Sequence, residues 1–317
     1  MRILIYGAGS VGLGIASCLL KAGARVDVVA RRETVDSVRL NGLIRTGIFG
    51  DFRVPPEALE AYTSLNVIQN TQYDYILVCT KSFDSLGAAQ DLSEHTRLFS
   101  EDAKFVLFQN GWGNADKFTS FFPLDRIYNA RVITGFSRPK KNEVIITVHA
   151  DSIHIGSLFG ADLSCMAKLC ELISTGDIPC RITENIEKDL WAKMLYNCAL
   201  NPLGAILEVP YGRLAGSEFT RMIMDAVIKE VFAVLAAAGY STHWQNPADF
   251  IEVFYEKLVP DTAEHKSSTL QDILAKKPTE IDALNGAVIA LANSRKIAVP
   301  YNLTVYNMVK FLESRTS

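Results

Sequence analysis

The pattern of apolar and polar positions changes near residue 184. Before that point, short and nearly continuous apolar runs alternate with stretches of helical spacing, which is typical of buried strands connected by helices. The strands predicted first along the chain span 2–6, 24–30, 73–80 and 104–108, and alternating apolar residues predict two more within 142–156. From residue 185 onward the spacing is helical, over 186–201, 217–239, 246–257, 281–293 and 303–314. The pattern predicts an α/β domain over 1–184 with a doubly wound parallel sheet, then an all-α domain over 185–317.

A glycine-rich turn joins the first predicted strand to the helix predicted over 10–21. The turn has the full G-x-G-x-x-G spacing, and its residues are Gly7, Ala8, Gly9, Ser10, Val11 and Gly12. The first glycine permits the tight turn, the second lets backbone approach a pyrophosphate, and the third allows close packing of helix on strand. Because strand, helix and second strand are all present, the motif indicates dinucleotide binding rather than a purely structural turn.

The residues after the second strand bear on the choice of cofactor. A site for NAD places an acidic residue there to accept from the ribose 2′-hydroxyl. Here the strand ends at Arg31 and Arg32, and Glu33 follows one or two positions late. Two guanidinium groups suit a 2′-phosphate, so the sequence favours NADP. The alternative is that both arginines belong to a solvated strand end.

Polar residues also mark two later strand ends and one helix. Lys81 and Asn110 follow buried strands, where ligands of an open α/β sheet are bound. In the helix predicted over 186–201, Lys193, Asn197 and Asn201 recur every fourth residue and therefore share one face. Apolar residues flank this stripe, and a lysine there is a candidate proton donor to a substrate carbonyl. A solvated helix face is the alternative.

Composition narrows the class of protein. The 317 residues carry 32 Lys and Arg against 35 Asp and Glu, a net charge of -3, which argues against a nucleic-acid partner. No stretch approaches the ~20 apolar residues that a membrane span needs. The 6 cysteines are scattered without spacing suited to zinc, so we expect no metal site and reduced thiols in a cytoplasmic protein.

Taken together, the motifs resemble those of the ketopantoate reductases (2-dehydropantoate 2-reductases), over essentially the whole chain. The resemblance rests on the turn at 7–12, on Arg31, Lys81 and Gln109-Asn110-Gly111, on Lys193, Asn197 and Asn201-Pro202-Leu203, on Ser267-Ser268 with Gln271-Asp272, and on Thr279-Glu280-Ile281-Asp282 with Asn285-Gly286. It implies a Rossmann-type N-terminal domain, a helical C-terminal domain and a cleft between them in which NADPH reduces a 2-oxo acid.

The same resemblance implies a role for each matched residue. Lys193 would be the general acid, and Glu280 would lie near the cofactor and the reacting centre. Asn110 would contact both cofactor and substrate. Asn197, Asn201 and Ser268 would bind the substrate, while Arg31 and Lys81 would contact the cofactor. A homodimer is left open.

Two departures from the family pattern concern the substrate. Tyr211 and His265 stand where the resemblance leads us to expect asparagines. We expect both to tune substrate choice, and a histidine charged near about pH 6.5 would favour an anionic substrate. Three hypotheses follow: a ketopantoate reductase, a paralogue that reduces another 2-oxo acid, or a non-catalytic redox sensor that binds NADP(H). A proton-donating lysine argues against the sensor.

Cofactor preference tests the role of Arg31. We expect the protein to bind NADPH at least about tenfold more tightly than NADH, and Arg31→Ala to remove most of that preference because the guanidinium faces the 2′-phosphate. Titration of both cofactors measures the ratio. Equal affinities in the unaltered protein would contradict the expectation.

Overall fold

The computed structural model describes residues 1–315 and consists of two compact units. The first unit comprises Met1–Gln109 and Asn114–Ile186. The second comprises Asn110–Gly113 and the chain from Glu187 onward. The division into a cofactor domain over 1–184 and a catalytic domain over 185–317 stays a prediction. By packing, the second unit also includes the four residues of Asn110–Gly113.

The first unit is built on one sheet of ten strands. The strands are β1 (Arg2–Tyr6), β2 (Arg25–Val29), β3 (Leu43–Gly47), β4 (Phe52–Val54), β5 (Glu60–Tyr62), β6 (Tyr73–Val78), β7 (Phe99–Leu107), β8 (Ile127–Ser137), β9 (Glu143–Gly156) and β10 (Cys180–Ile182). Their order is β4-β3-β9-β8-β7-β6-β1-β2-β5, with β10 beside β9. Pairing is antiparallel for β3–β4 and β8–β9 and parallel elsewhere. The predicted α/β class with a doubly wound, mostly parallel sheet is confirmed.

One prediction about the strands was wrong. Residues 142–156 do not form two strands, because β9 runs unbroken from Glu143 to Gly156. Its pairing with β8 shifts register three times, which divides the alternation of apolar residues without ending the strand. The local alternation of apolar residues therefore suggested a break, although pairing with β8 continues from Ile145 to Gly156.

Helices cover both faces of the sheet. Those of the first unit are α1 (Ser10–Lys21), α2 (Arg32–Asn41), α3 (Ser85–Ser93), α4 (Asn114–Thr119) and α5 (Ala167–Thr175). Successive residues of β1 contribute to different cores: Ile3 and Ile5 pack in the cluster that includes α1 and α5, and Leu4 packs in the cluster that includes α3 and α4. Burial on both faces explains why the strand lacks polar alternation.

The strand order reverses at β1, which lies between β2 and β6. The reversal leaves a crevice beyond the carboxyl ends of neighbouring strands, where open α/β sheets bind ligands. The glycine turn follows β1, and Lys81 follows β6. The topology therefore brings both predicted cofactor elements to one edge of the sheet.

The second unit is helical. Its helices are α6 (Ile186–Leu207), α7 (Tyr211–Ala215), α8 (Glu218–Ala238), α9 (Pro247–Val253), α10 (Ser268–Leu274), α11 (Asn285–Arg295) and α12 (Pro300–Ser314). A π-helical segment, Phe254–Leu258, extends α9. Trp191, Val231 and Phe250 are fully buried in a single apolar core. Within residues 1–315, no helix combines the length and apolar character that crossing a bilayer requires.

Helix α6 contains a proline that the rest of the unit accommodates. Pro202 has no N–H, so the carbonyl of Cys198, four residues earlier, loses its usual helical donor. Asn285 replaces that donor: its Nδ2 lies 3.1 Å from the Cys198 oxygen. The proline is thus tolerated because a side chain from α11 completes the backbone hydrogen bonding of α6.

The same asparagine begins a buried polar network. Asn285 Nδ2 also lies 3.0 Å from Asn302 Oδ1, and Asn302 Nδ2 lies 2.8 Å from a carboxylate oxygen of Glu230 on α8. Glu230 accepts from the backbone N–H groups of Tyr301 and Asn302 as well, at 2.8 and 2.9 Å. Negative charge at the start of α12 offsets the positive end of its dipole.

A buried arginine ties the sheet of the first unit to two helices. Arg45 on β3 is fully buried, donates to the Gly176 carbonyl at 2.8 Å and forms an ion pair with Asp177. Lys21 at the end of α1 contacts the same carboxylate at 2.7 Å. Burial opposes ionisation of Asp177, but the hydrogen bonds from Lys21 and Arg45 outweigh it and lower the pKa of the carboxyl group.

Removing that carboxylate tests its contribution. We expect Asp177→Asn to lower the free energy of unfolding by about 1–3 kcal/mol at neutral pH, because the buried Arg45 loses its counterion. A lowered pKa stabilises the fold above the unfolded value of about 3.9, and this contribution disappears as the pH falls through the folded value. The difference from wild type should therefore shrink in acid.

Urea unfolding at several pH values measures this effect. Glu171→Gln is the control, since its pair with Lys168 is solvent-exposed and should change stability by less than about 0.5 kcal/mol. Equal effects of the two substitutions would contradict the assignment.

Candidate functional site

The glycine turn of the first unit has the geometry that a bound dinucleotide requires. Gly7 adopts φ +103°, and a Cβ there would lie 2.7 Å from the Thr80 nitrogen. A Cβ on Gly12 would lie 2.2 Å from the Gly7 oxygen, whereas a Cβ on Gly9 would have no atom of residues 1–315 within 4 Å, apart from its chain neighbours. Among the same residues, no side chain caps the N-terminus of α1. The open side at Gly9 and the uncapped N–H groups fit a pyrophosphate.

The acidic residues near the end of β2 already have partners. Asp27 is buried and accepts from Tyr73 at 2.6 Å and from Arg2 at 3.0 Å. Glu33 pairs with Lys141 at 2.5 Å, and this lysine lowers the pKa of the Glu33 carboxyl group. Both carboxylates are therefore engaged with other side chains. Arg31 is exposed beside them.

The other strand ends are held by a buried glutamine. Gln109 follows β7 and donates from Nε2 to Ser85 Oγ at 2.8 Å, to Thr80 Oγ1 at 3.1 Å and to the Lys81 carbonyl at 3.3 Å. These bonds fix the backbone at the ends of β6 and β7. The predicted cofactor residue Lys81 therefore lies on a rigid segment, next to the glycine turn.

In the second unit, three of the predicted residues form a hydrogen-bonded array. Lys193 Nζ lies 2.5 Å from Asn110 Oδ1, and Asn110 Nδ2 lies 3.2 Å from Glu280 Oε2. Glu280 is buried, while Lys193 and Asn110 are partly buried. Since a carboxylate only accepts, Glu280 orients the amide so that its oxygen faces the ammonium group.

The segment that carries Asn110 is anchored by residues that the sequence did not single out as functional. Gly111 has φ +87°, and a Cβ there would lie 2.5 Å from the Ala283 oxygen. Trp112 donates its backbone N–H to the same oxygen at 2.9 Å, and its ring lies 4.5 Å from that of Trp191. Trp191 lies two residues before Lys193 on α6, so these contacts hold Asn110 and Lys193 together. In the sequence, the aromatic residue that directly follows Asn110-Gly111 could have indicated this anchor.

The polar stripe on α6 leads toward the amino end of α10. Tyr211 is buried and donates its hydroxyl to Asn201 Oδ1 at 2.5 Å. Ser267 caps α10 and donates to the Asn201 carbonyl at 3.1 Å. Within residues 1–315, the side chains of Asn197 and Ser268 make no hydrogen bond, and both are partly buried. Their predicted role in substrate binding remains a prediction.

The expected charge on His265 is corrected by the structure. Its ring lies 5.4 Å from that of Tyr211 and is partly buried, and this burial lowers the pKa of the imidazole. Charging near pH 6.5 is therefore disfavoured, because desolvation penalises the cation. Burial likewise raises the pKa of Tyr211, so its hydroxyl remains a donor to Asn201. Among the described residues, no cluster of three or more histidines, cysteines or acidic residues could hold a metal ion.

Comparison with known proteins shows which family the chain matches. Residues 3–160 match the family model described as ketopantoate reductase PanE/ApbA, and residues 185–313 match the model of its C-terminal domain. The 2-dehydropantoate 2-reductase of Aquifex aeolicus is 33% identical over 314 residues, which cover 99% of this chain and 97% of that protein.

Solved structures agree with that match. The ketopantoate reductase of Ralstonia eutropha is 29% identical and superposes with a TM-score of 0.86 over 100% of this chain and 99% of its own. A D-mandelate dehydrogenase with NADH and anilino(oxo)acetate, 22% identical, has a TM-score of 0.89 over 100% and 99% of the two chains. At that identity, it shows a shared fold only.

The Tyr211 hydroxyl can be tested by its removal. We expect Tyr211→Phe to lower the free energy of unfolding by about 1–3 kcal/mol, because the buried Asn201 oxygen loses its donor. Tyr301→Phe is the matched control, since Tyr301 is 47% exposed. Denaturant unfolding measures both variants. A Tyr211→Phe protein as stable as the control would show that the hydroxyl bond contributes little.

Proposed function

The chain belongs to the ketopantoate reductase family, and we propose that it reduces 2-dehydropantoate (ketopantoate) to pantoate with NADPH, a step of pantothenate and coenzyme A biosynthesis. The observation that carries this proposal is the array of Lys193, Asn110 and Glu280. It supplies one cationic proton donor, held by neutral and acidic groups, on a chain that also has a dinucleotide-binding turn.

The chemistry requires a donor at the carbonyl oxygen. The reduced nicotinamide, when bound, supplies a hydride to the carbonyl carbon, and negative charge then develops on oxygen. The Lys193 ammonium stabilises that charge and donates a proton from Nζ. Asn110 accepts one of the three N–H bonds of this ammonium, which fixes its position. Glu280 contributes by holding the Asn110 amide in the productive orientation.

Several of the predicted residues are assigned to the cofactor. We propose that the backbone of residues 7–12 holds the pyrophosphate, as the open side of the turn supports. Arg31 would contact the 2′-phosphate, and Lys81 would contact the cofactor from the end of β6. Asn110 and Glu280 would complete the contacts. The partnered state of Asp27 and Glu33 supports NADPH over NADH.

Substrate binding is assigned to the α6 stripe. Lys193, Asn110, Asn197, Asn201 and Ser268 offer amides, a hydroxyl and one cation, which together suit the carboxylate and hydroxyl of a 2-oxo acid. Because Tyr211 occupies the Asn201 oxygen, Asn201 presents its N–H₂ group as a donor. This donor favours a carboxylate acceptor.

A second candidate substrate is favoured by one observation. Tyr211 and His265 pack against each other at positions where the family pattern has asparagines. Their rings replace two hydrogen-bonding amides, which leaves another branched 2-oxo acid as the alternative. NADPH oxidation with a panel of 2-oxo acids that includes ketopantoate decides between them by kcat/KM.

We propose a cytoplasmic enzyme without a nucleic-acid partner. A homodimer is the proposed oligomeric state, and light scattering would test it.

Lys193 should matter for turnover and little for cofactor affinity. We expect Lys193→Ala to reduce kcat by about 10²–10⁴, since proton donation and charge stabilisation are both lost. The affinity for NADPH should change less than about threefold. Steady-state oxidation of NADPH and a binding titration measure the two quantities.

Lys188→Ala on the same helix is the matched control and should retain kcat within a few fold. If Lys193→Ala kept near-native turnover on the best substrate, another residue would have to be the acid.

A further inference from the structure

A third arginine lies at the glycine turn, and sequence reasoning did not select it. Arg138 follows β8, and its Nη1 lies 2.8 Å from the Ala8 carbonyl and 3.4 Å from Thr34 Oγ1. Ala8 belongs to the turn, and Thr34 lies in the first turn of α2. The guanidinium group therefore bridges the two segments that carry the predicted pyrophosphate and 2′-phosphate contacts.

The charges around Arg138 are not balanced. Burial, and then the neighbouring Arg31, lower the pKa of this guanidinium group. Glu33 is the acidic group close enough to oppose them, and it already pairs with Lys141. Three cations (Arg31, Arg138 and Lys141) thus face one carboxylate, an excess of 2 positive charges. Arg138 has no ion pair within residues 1–315.

The donors of Arg138 point to what the excess charge binds. Both of its hydrogen bonds use Nη1. Its Nε and Nη2 have no acceptor among the described residues, although together they form the edge that binds phosphate or carboxylate through two parallel bonds. The like charges of Arg31 and Arg138 repel one another, and an anion between them removes the repulsion. A phosphate monoester has the required charge and oxygens.

We propose that Arg138 and Arg31 together form the site for the 2′-phosphate of NADPH, with Arg138 as a specificity-determining residue. The proposal rests on the proposed use of NADPH and adds a second residue, beside Arg31, that distinguishes this cofactor from NADH. Arg138 holds the glycine turn through Nη1 and binds the phosphate through Nε and Nη2. Arg31 approaches from the start of α2.

Binding measurements without any 2-oxo acid test this assignment. We expect Arg138→Met to weaken NADPH binding about tenfold or more and NADH binding less than about twofold, because only NADPH carries the 2′-phosphate. Adenosine 2′,5′-bisphosphate and adenosine 5′-monophosphate serve as fragments of NADPH and NADH. The substitution should weaken binding of the first fragment and leave binding of the second nearly unchanged. Isothermal titration calorimetry measures all four affinities.

Two further variants keep the result interpretable. Arg138→Lys retains the charge and the bond to Ala8 but lacks the two-donor edge, so it should lose part of the preference for NADPH. Lys140→Met is the control, because Lys140 is exposed and pairs with Glu143, and its preference should stay at the wild-type value. Circular dichroism and thermal unfolding verify that the variants fold.

Three outcomes would overturn the inference. Equal weakening of NADPH and NADH would assign Arg138 to the pyrophosphate or to the shape of the turn. Unchanged affinity for both would show that it does not contact the cofactor, and equal wild-type affinities would show that no 2′-phosphate site exists. The proposed reductase function fails on a different result, namely intact NADPH binding without turnover of any 2-oxo acid.

Discussion

The bond between Lys193 and Asn110 is the interaction on which the proposed chemistry depends. The two residues are 83 positions apart in the chain, and only the packing of Asn110–Gly113 in the second unit brings them together. That packing rests on a glycine with no room for a side chain, one backbone hydrogen bond to Ala283 and the contact of the Trp112 ring with the Trp191 ring. Groups without any proposed role in the chemistry therefore hold the Lys193–Asn110 pair in place.

In the first unit, the acidic groups near the end of β2 also have partners within the fold. The carboxylate of Asp27 accepts hydrogen bonds from Tyr73 and Arg2, and that of Glu33 pairs with Lys141. Each of these pairs engages one cation, Arg2 or Lys141. Within residues 1–315, Arg138 has no such ion pair.

Much of this could be predicted from sequence, for physical reasons that particular residues make clear. The glycine turn and the Lys193 stripe are local patterns, with periods set by backbone geometry, and the α/β class follows from buried strands such as β1. Arg138 and Trp112 escaped prediction because their contacts cross between distant segments. The charge on His265 and the break in β9 were predicted wrongly, since burial and partner register are tertiary properties.

The proline in α6 has a consequence for how the second unit can assemble. Helices that meet only through apolar side chains can slide past one another by a turn at small cost. Here the carbonyl of Cys198, which Pro202 deprives of its helical donor, accepts from Asn285, which is itself bound to Asn302 and, through it, to Glu230. Any slippage of α11 or α12 would bury unpaired amides and a carboxylate. Pro202 weakens α6, but the hydrogen bonds that compensate for it allow a single arrangement of these helices. They also fix the position of the Lys193 stripe along the helix bundle.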